Sequence, residues 1–343
     1  MKKIAMVVNS NIFSGLESVT IDIMQNLNNC FEFVYVTKSG SIINVLKEKR
    51  LKYYIINDMS IKSIKKMINT LKPDIIHSHD YRASFICSLV NKHVPLIIHL
   101  HNNPLWLKKF HPLSFAFLFS AIKARKTLIV SDSIEKEFIF SNCIKNKIIN
   151  ISNPINVNKI VKKVSGEYTK KYDLCCVARI SESKNPLRFL NIIKILVRVK
   201  PNLKAVWVGD GELKYNVLNK VKEYGLGKNV EFVGFQKNPY KYIAQSKIFV
   251  LTSSWEGFGL VAFEALALGV PCVVSKVGGL VNIVDKSCGY LCKNDDDFVN
   301  GILKLLENNK FLKICDNCKK KAQNLENTKE YMSKLKKIYE GLI

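Results

Sequence analysis

Short apolar runs recur along the chain, separated by amphipathic stretches of helical period. The first run, Ile4-Ala5-Met6-Val7-Val8, stops at Asn9-Ser10. The pattern predicts strands over 3–9, 31–37, 52–56, 75–79, 95–101, 127–131 and 148–151. It then lapses. Residues 154–172 hold Pro154, Gly166 and several lysines with no sustained period, which reads as a connection. A second alternation follows, with strands over 174–178, 204–208, 230–233, 248–251 and 271–275, and a further strand-like Gly289-Tyr290-Leu291. Several runs are apolar without alternation, as expected where helices cover both faces of a parallel sheet. The repeated strand–helix order predicts an α/β protein of two doubly wound, Rossmann-like domains. Their expected limits are 1–157 and 173–325, with a linker over 158–172 and a Lys-rich helical tail over 326–343 that packs back on the first domain. Ligands of such sheets gather at the carboxyl ends of strands. Ser14-Gly15, His77-Ser78-His79, Gly209-Asp210-Gly211 and Gly278-Gly279 all fall there, so the expected active site is a crevice facing both domains.

Composition narrows the class. The chain has 343 residues, 48% hydrophobic and 24% charged, which excludes wholesale disorder, collagen-like repeats and a coiled-coil rod. The formal charge of +25 attracts polyanions: nucleic acid, anionic lipid or phosphorylated substrates. The apolar start lacks a small-residue cleavage site and reads as a buried strand rather than a secretory signal, which predicts a cytoplasmic location. The longest apolar stretch outside the strands, 113–122, is too short to span a bilayer, which takes about 20 residues. The ten cysteines are expected to be reduced. Cys288, Cys292, Cys315 and Cys318 have the wrong first spacing for a zinc knuckle.

Chemistry concentrates in Ser253-Ser254-Trp255-Glu256-Gly257-Phe258-Gly259-Leu260, running on through Glu264 to Gly269-Val270-Pro271. A strand, a glycine-containing loop and a helix N-terminus follow in order, a spot that favours an anion. Glu264 sits one turn into an apolar helix and needs hydrogen-bond donors there, which sugar hydroxyls supply. Arg179 and Lys184 follow another strand; two cations at that place can neutralise a departing diphosphate. Asn294-Asp295-Asp296-Asp297 contains an Asp-x-Asp string, read as a helix cap with first-turn acids rather than a metal site.

Two glutamates with seven residues between them in this Gly-rich context resemble the retaining GT-B glycosyltransferases of family 4. The resemblance extends over nearly the whole chain. It implies the GT-B fold and transfer of a hexose-type sugar from a nucleotide-diphosphate donor, taken as a UDP-sugar, to a glycan or polyprenyl-linked acceptor in surface or capsular polysaccharide synthesis. It assigns Glu256 to the donor sugar, Glu264 to the ribose, and Arg179 with Lys184 to the leaving diphosphate. The amides of Gly257, Phe258, Gly259 and Leu260 meet the diphosphate or sugar. Gly209 lies in the glycine turn near the nucleotide and Phe235 in the segment near the base. In the first domain Gly15 sits in the loop before the first helix, where Ser14 replaces a usual glycine, and His101 is the active-site histidine near the donor sugar. Val281 and Asn282 stand where the family often has Pro and Glu, which weakens any reading of the donor sugar. No cofactor or metal is expected, because cations and helix amides supply the positive field.

Two basic-flanked segments, 108–126 with its aromatic residues and 61–68 with Ile61, Ile64 and Ile68 on one side, suit an anionic membrane surface. Peripheral association with the inner face of the cell membrane is therefore expected. A GT-B nucleotide-sugar epimerase would share the donor site without needing an acceptor. A basic nucleic-acid-binding protein would need a reading motif, and none is visible.

Overall fold

The computed structural model describes residues 1–164 and 168–343. They form two compact units, Met1–Pro154 with Asn327–Ile343, and Ile155–Glu326. Gly166, cited above for the linker, lies outside the described residues. At the start of the expected linker a short helix, Val157–Val161, belongs to the second unit, and the Asn156 side chain caps it by accepting from Lys159 N. The helical tail, Thr328–Glu340, belongs to the first unit and buries Tyr331, Met332, Leu335 and Tyr339.

The first unit is built on β1 (Lys3–Val7), β2 (Glu32–Lys38), β3 (Tyr53–Ile56), β4 (Ile75–Ser78), β5 (Leu96–Leu100), β6 (Lys126–Ile129) and β7 (Ile148–Asn150). Their spatial order is β3-β2-β1-β4-β5-β6-β7, all parallel. The second unit contains β8 (Tyr172–Val177), β9 (Ala205–Val208), β10 (Val230–Phe232), β11 (Ser246–Leu251), β12 (Cys272–Ser275) and β13 (Gly289–Cys292). Its order is β10-β9-β8-β11-β12-β13, again parallel. Parallel strands need crossovers, and helices laid on both faces bury every residue of β4, β5, β9 and β12. That burial explains the unbroken apolar runs in the sequence.

In each sheet the strand order reverses beside its first strand, between β1 and β4 and between β8 and β11. Loops leave such a switch point in opposite directions and open a crevice at the carboxyl ends. The core of the second unit reaches up to this edge. Trp207 is fully buried on β9, packs edge-on to Phe189 at 5.1 Å, and donates its indole N–H to the carbonyl of Ala178 at 3.0 Å. The residue before Arg179 is thereby tied to the core. All ten cysteines are unpaired, and seven of them are buried.

Candidate functional site

Lys184 and Glu256 meet at the switch point of the second unit. Arg179 and the Ser181–Lys184 turn follow β8, and the Thr252–Glu256 loop follows β11. Thr252 Oγ1 donates to the carbonyls of Lys184 and Asn185, both at 3.0 Å, and Ser254 N donates to Ser183 O at 2.8 Å. These bonds fasten the two loops side by side. Lys184 Nζ then reaches Glu256 Oε2 at 2.5 Å, and Ser253 Oγ donates to the same oxygen at 3.0 Å. The two side chains are only 23% and 15% exposed, so the charges are partly withdrawn from water and their attraction is strong. Arg179 is exposed at the end of β8.

Glycines let neighbouring loops close on this pair. At Gly278, φ is +49° and an added Cβ would lie 1.6 Å from Glu256 O, so no other residue fits without moving the Glu256 loop. Gly279 N donates to Gly257 O at 3.0 Å. Gly259, at φ +91°, caps the helix Leu260–Ala267. Phe258 and Leu260 are partly buried beside it, which leaves this helix start reachable. On the other side Gly209 N donates to Gly234 O at 2.8 Å, and Phe235 next to it is exposed. Glu264, in the first turns of the helix, accepts from Tyr240 Oη at 3.1 Å. Burial pushes its carboxyl up to about 7, with Tyr240 and Lys163 pulling the other way.

The first unit presents imidazoles instead. His77 and His79 extend from β4 and His99 and His101 from β5, alternate positions that share one face of the sheet. His79 Nδ1 lies 3.1 Å from His101 Nε2, and His77 Nδ1 lies 2.6 Å from Tyr339 Oη on the Thr328–Glu340 helix. His77 Nε2, His79 Nε2 and both nitrogens of His99 are buried without a hydrogen-bond partner among the described residues. Burial holds His77, His79 and His99 well below the usual histidine range, helped by the neighbouring imidazoles. It takes His101 down to about 3, with Asn153 partly opposing. All four are therefore neutral at pH 7. His77, His79 and His99 hold nitrogens within 4.8 Å of one another, the composition of a metal site. However, the His77 and His79 rings stack at 28° and the His77 and His99 rings at 8°. Nitrogen lone pairs lie in the ring planes, so stacked rings aim them alongside one another rather than at one ion.

Lys184, Glu256 and the loop 257–260 come together, and Glu264 follows in the same helix. Gly209 and Phe235 border each other through Gly234. Gly15 is exposed at the start of the Gly15–Asn26 helix, where Ser14 Oγ donates to Glu17 at 2.5 Å. Asn294 and Asp297 form a capping box, and Asp295 pairs with Arg188 at 2.7 Å. Sequence reasoning missed Tyr240, Thr252 and Tyr339. No local signal marks them, since each acts through a residue from another segment or through a loop whose path the pattern leaves open.

Residues 157–325 match the family model described as glycosyl transferases group 1, and residues 32–159 match the model for glycosyltransferase family 4. The chain is 26% identical over 380 residues to the UDP-Gal:alpha-D-GlcNAc-diphosphoundecaprenol alpha-1,3-galactosyltransferase of Escherichia coli, covering 99% of this chain and 97% of that protein. It is 30% identical over 234 residues to an N-acetylgalactosamine-N,N'-diacetylbacillosaminyl-diphospho-undecaprenol 4-alpha-N-acetylgalactosaminyltransferase of Campylobacter jejuni, covering 65% and 61% of the two chains. Among solved structures it resembles the Anabaena protein HepE in complex with UDP-glucose, with a TM-score of 0.84, 18% identity, and coverage of 99% and 100%. That likeness establishes the fold as GT-B. Taken with the two models, which between them run from 32 to 325, it makes the chain a glycosyltransferase of the group 1, family 4 class.

Proposed function

We propose that this enzyme transfers a hexose-type sugar from a UDP-sugar to a lipid-linked glycan acceptor in surface polysaccharide synthesis, with retention of anomeric configuration. The Lys184–Glu256 pair at the β8/β11 switch point carries the reading. The bond from the sugar C1 to the diphosphate oxygen breaks, and a bond from C1 to the acceptor oxygen forms on the same face. The acceptor proton passes to the departing phosphate oxygen. Arg179 and Lys184 stabilise the charge that develops on that oxygen, which is where preorganised cations act most strongly. Glu256, which pairs with Lys184, accepts sugar hydroxyls, and Glu264 with Tyr240 takes the ribose. Gly209, Phe235 and the amides of 257–260 line the nucleotide and diphosphate. His101, neutral at pH 7, serves as a hydrogen-bonding partner of the donor sugar rather than as a cation, and Gly15 leaves room for phosphate or acceptor. No metal takes part in this scheme.

Support for the acceptor class comes from the relatives' names, which specify diphosphoundecaprenol-linked substrates. No helix of the described residues is long and apolar enough to cross a membrane. A chain of this charge working on a lipid-linked acceptor belongs at an anionic membrane surface, on the cytoplasmic face. Arg179→Ala is expected to lower turnover of UDP-sugar by about 10²–10³-fold, the usual cost of removing one charge-stabilising donor. Steady-state assays with UDP-glucose and UDP-galactose test this. Near-normal turnover removes Arg179 from the mechanism, and NMR of the first-formed product anomer decides retention.

A further inference from the structure

The helix Pro112–Lys123 is apolar around most of its circumference yet only partly covered. Ser114, Phe117, Ser120 and Ala121 are buried, whereas Leu113, Phe115, Phe119 and Ile122 are exposed. Phe115, Phe119 and Ile122 follow at steps of four and three residues and form one stripe. The stripe spans about 10 Å at about 1.5 Å per residue. Phe110, just ahead of the helix, is 76% exposed. The other amphipathic segment behaves differently. The helix Ile61–Leu71 turns Ile64 and Met67 into the core and leaves only Ile61 well exposed among its large apolar side chains.

A pocket of about 250 Å³ adjoins the far end of the stripe. Ile122 belongs to both, and Lys92, His93, Lys123, Arg125 and Lys147 supply its other long side chains. No carboxylate lines it. Lys123 Nζ sits 4.6 Å over the Phe119 ring, so pocket and stripe are one surface. Lys147 Nζ donates to Ala124 O at 2.9 Å, and desolvation with the nearby Arg125 charge holds it below the ordinary lysine range. None of Lys92, Lys123, Arg125 and Lys147 makes an ion pair among the described residues. Cations crowded in this way repel, and an anion seated among them relieves the repulsion.

An apolar stripe calls for hydrocarbon and an acid-free cationic pocket calls for an anion. An anionic lipid leaflet offers both in one layer. We propose that the Pro112–Lys123 helix lies in the headgroup layer of an anionic membrane, with Phe110, Leu113, Phe115 and Phe119 at the acyl boundary and one phospholipid phosphate seated between Lys92, Arg125 and Lys147. This rests on the membrane part of the function proposed above and deepens it by naming the surface and the lipid group. The same orientation brings the 102–111 loop, which leads from His101 into the helix, against the membrane from which a lipid-linked acceptor arrives.

Co-sedimentation of the full chain with phosphatidylglycerol–phosphatidylcholine vesicles and with pure phosphatidylcholine vesicles tests the proposal. The wild type is expected to sediment with the anionic vesicles only. The variants Lys92→Glu with Arg125→Glu, and Phe115→Ser with Phe119→Ser, change exposed side chains, and each pair is expected to weaken vesicle binding about tenfold or more. The thermal shift produced by UDP stays as in the wild type, which certifies folding and keeps the donor site separate from this result. Full vesicle binding by either double variant overturns the inference while leaving membrane association intact. Equal loss in Lys62→Glu with Lys65→Glu, on the other helix, overturns it in favour of general charge. Release of the wild type by millimolar inorganic phosphate overturns the lipid as occupant. A wild type that binds no vesicles overturns both this inference and the membrane reading.

Discussion

The two units place different electrical devices near the carboxyl ends of their central strands. In the second, Lys184 and Glu256 oppose each other at 2.5 Å, and each charge is the other's compensation. In the first, His77, His79, His99 and His101 avoid charge altogether, and several ring nitrogens forgo a partner. A paired site withstands partial burial while its partners stay ionised. An imidazole stack withstands burial only while it stays neutral. The difference teaches that the edge chemistry of a doubly wound sheet is set by its local residues and not by the fold.

The largest expected consequence is acid lability of the first unit. Imidazoles near 6.5 in the unfolded chain take up protons as pH falls below that value, while the buried ones, held well below it, do not. Stability is therefore full above about pH 7 and is lost as pH falls from there toward the folded-state values. At pH 5 the loss is about 1–2 kcal/mol for each buried imidazole. Unfolding followed by tryptophan and far-UV signals at pH 7.5 and pH 5 measures it. His99→Phe keeps a ring in the stack and removes two unpartnered nitrogens, so it is expected to raise Tm more at pH 5 than at pH 7.5. An equal rise at both values breaks the comparison.

The next effect is on catalysis. His79 is fully buried and its Nδ1 meets His101 Nε2, so one proton held between them couples the tautomers and orientations of the two rings. His79→Ala is expected to lower turnover about tenfold with little change in KM for the donor, because orientation and not binding is lost. His79→Asn, which restores a side-chain hydrogen-bonding group near that position, recovers part of it. The ring-nitrogen shifts of His101 in ¹⁵N NMR should show one tautomer in the wild type and a mixture in His79→Ala. A wild-type pH–turnover profile with an inflection near 6.5 would contradict a neutral His101.

Much of this architecture is legible in the chain, for identifiable reasons. Runs such as Ile75-Ile76 and Leu96-Ile97-Ile98 read as strands because both faces are covered, which removes the polar alternation that would otherwise confuse them with surface strands. Asn294 and Asp297 announce a helix start because a capping box is local. The glycines around Glu256 are legible because loops approach there too closely for a Cβ. What stayed hidden is whatever depends on partners far apart in sequence. Tyr240 reaches Glu264 across 24 residues, and Tyr339 reaches His77 across 262. Helical period was ambiguous for a related reason. Both the 61–68 and the 108–126 segments show apolar residues at helical spacing, but periodicity records that a face is apolar and not whether core or solvent lies opposite it. The 154–172 segment shows no sustained period because five residues of helix are too few to establish one.

The smallest effect is the sharpest test of the contrast in sign. Glu264 has an ordinary value of 4.5 and sits at about 7 in the folded chain, so folding favours its protonated form. Its contribution is full below 4.5 and is lost as pH rises through 7, the reverse of the histidines. Ionising it in place works against the burial that raises it, at a cost on the order of 1–3 kcal/mol. Glu264→Gln keeps the shape and a group able to accept from Tyr240 Oη, and it removes the titration. It is expected to leave Tm unchanged at pH 5 and raise it by a few degrees at pH 8. UDP-sugar binding should weaken at both values, because a neutral amide is a poorer acceptor for ribose hydroxyls than a carboxylate. A variant whose Tm gain is the same at both pH values would show that Glu264 ionises in the folded enzyme as it does in water, and the opposition between the two strand-end sites would then rest on the histidines alone.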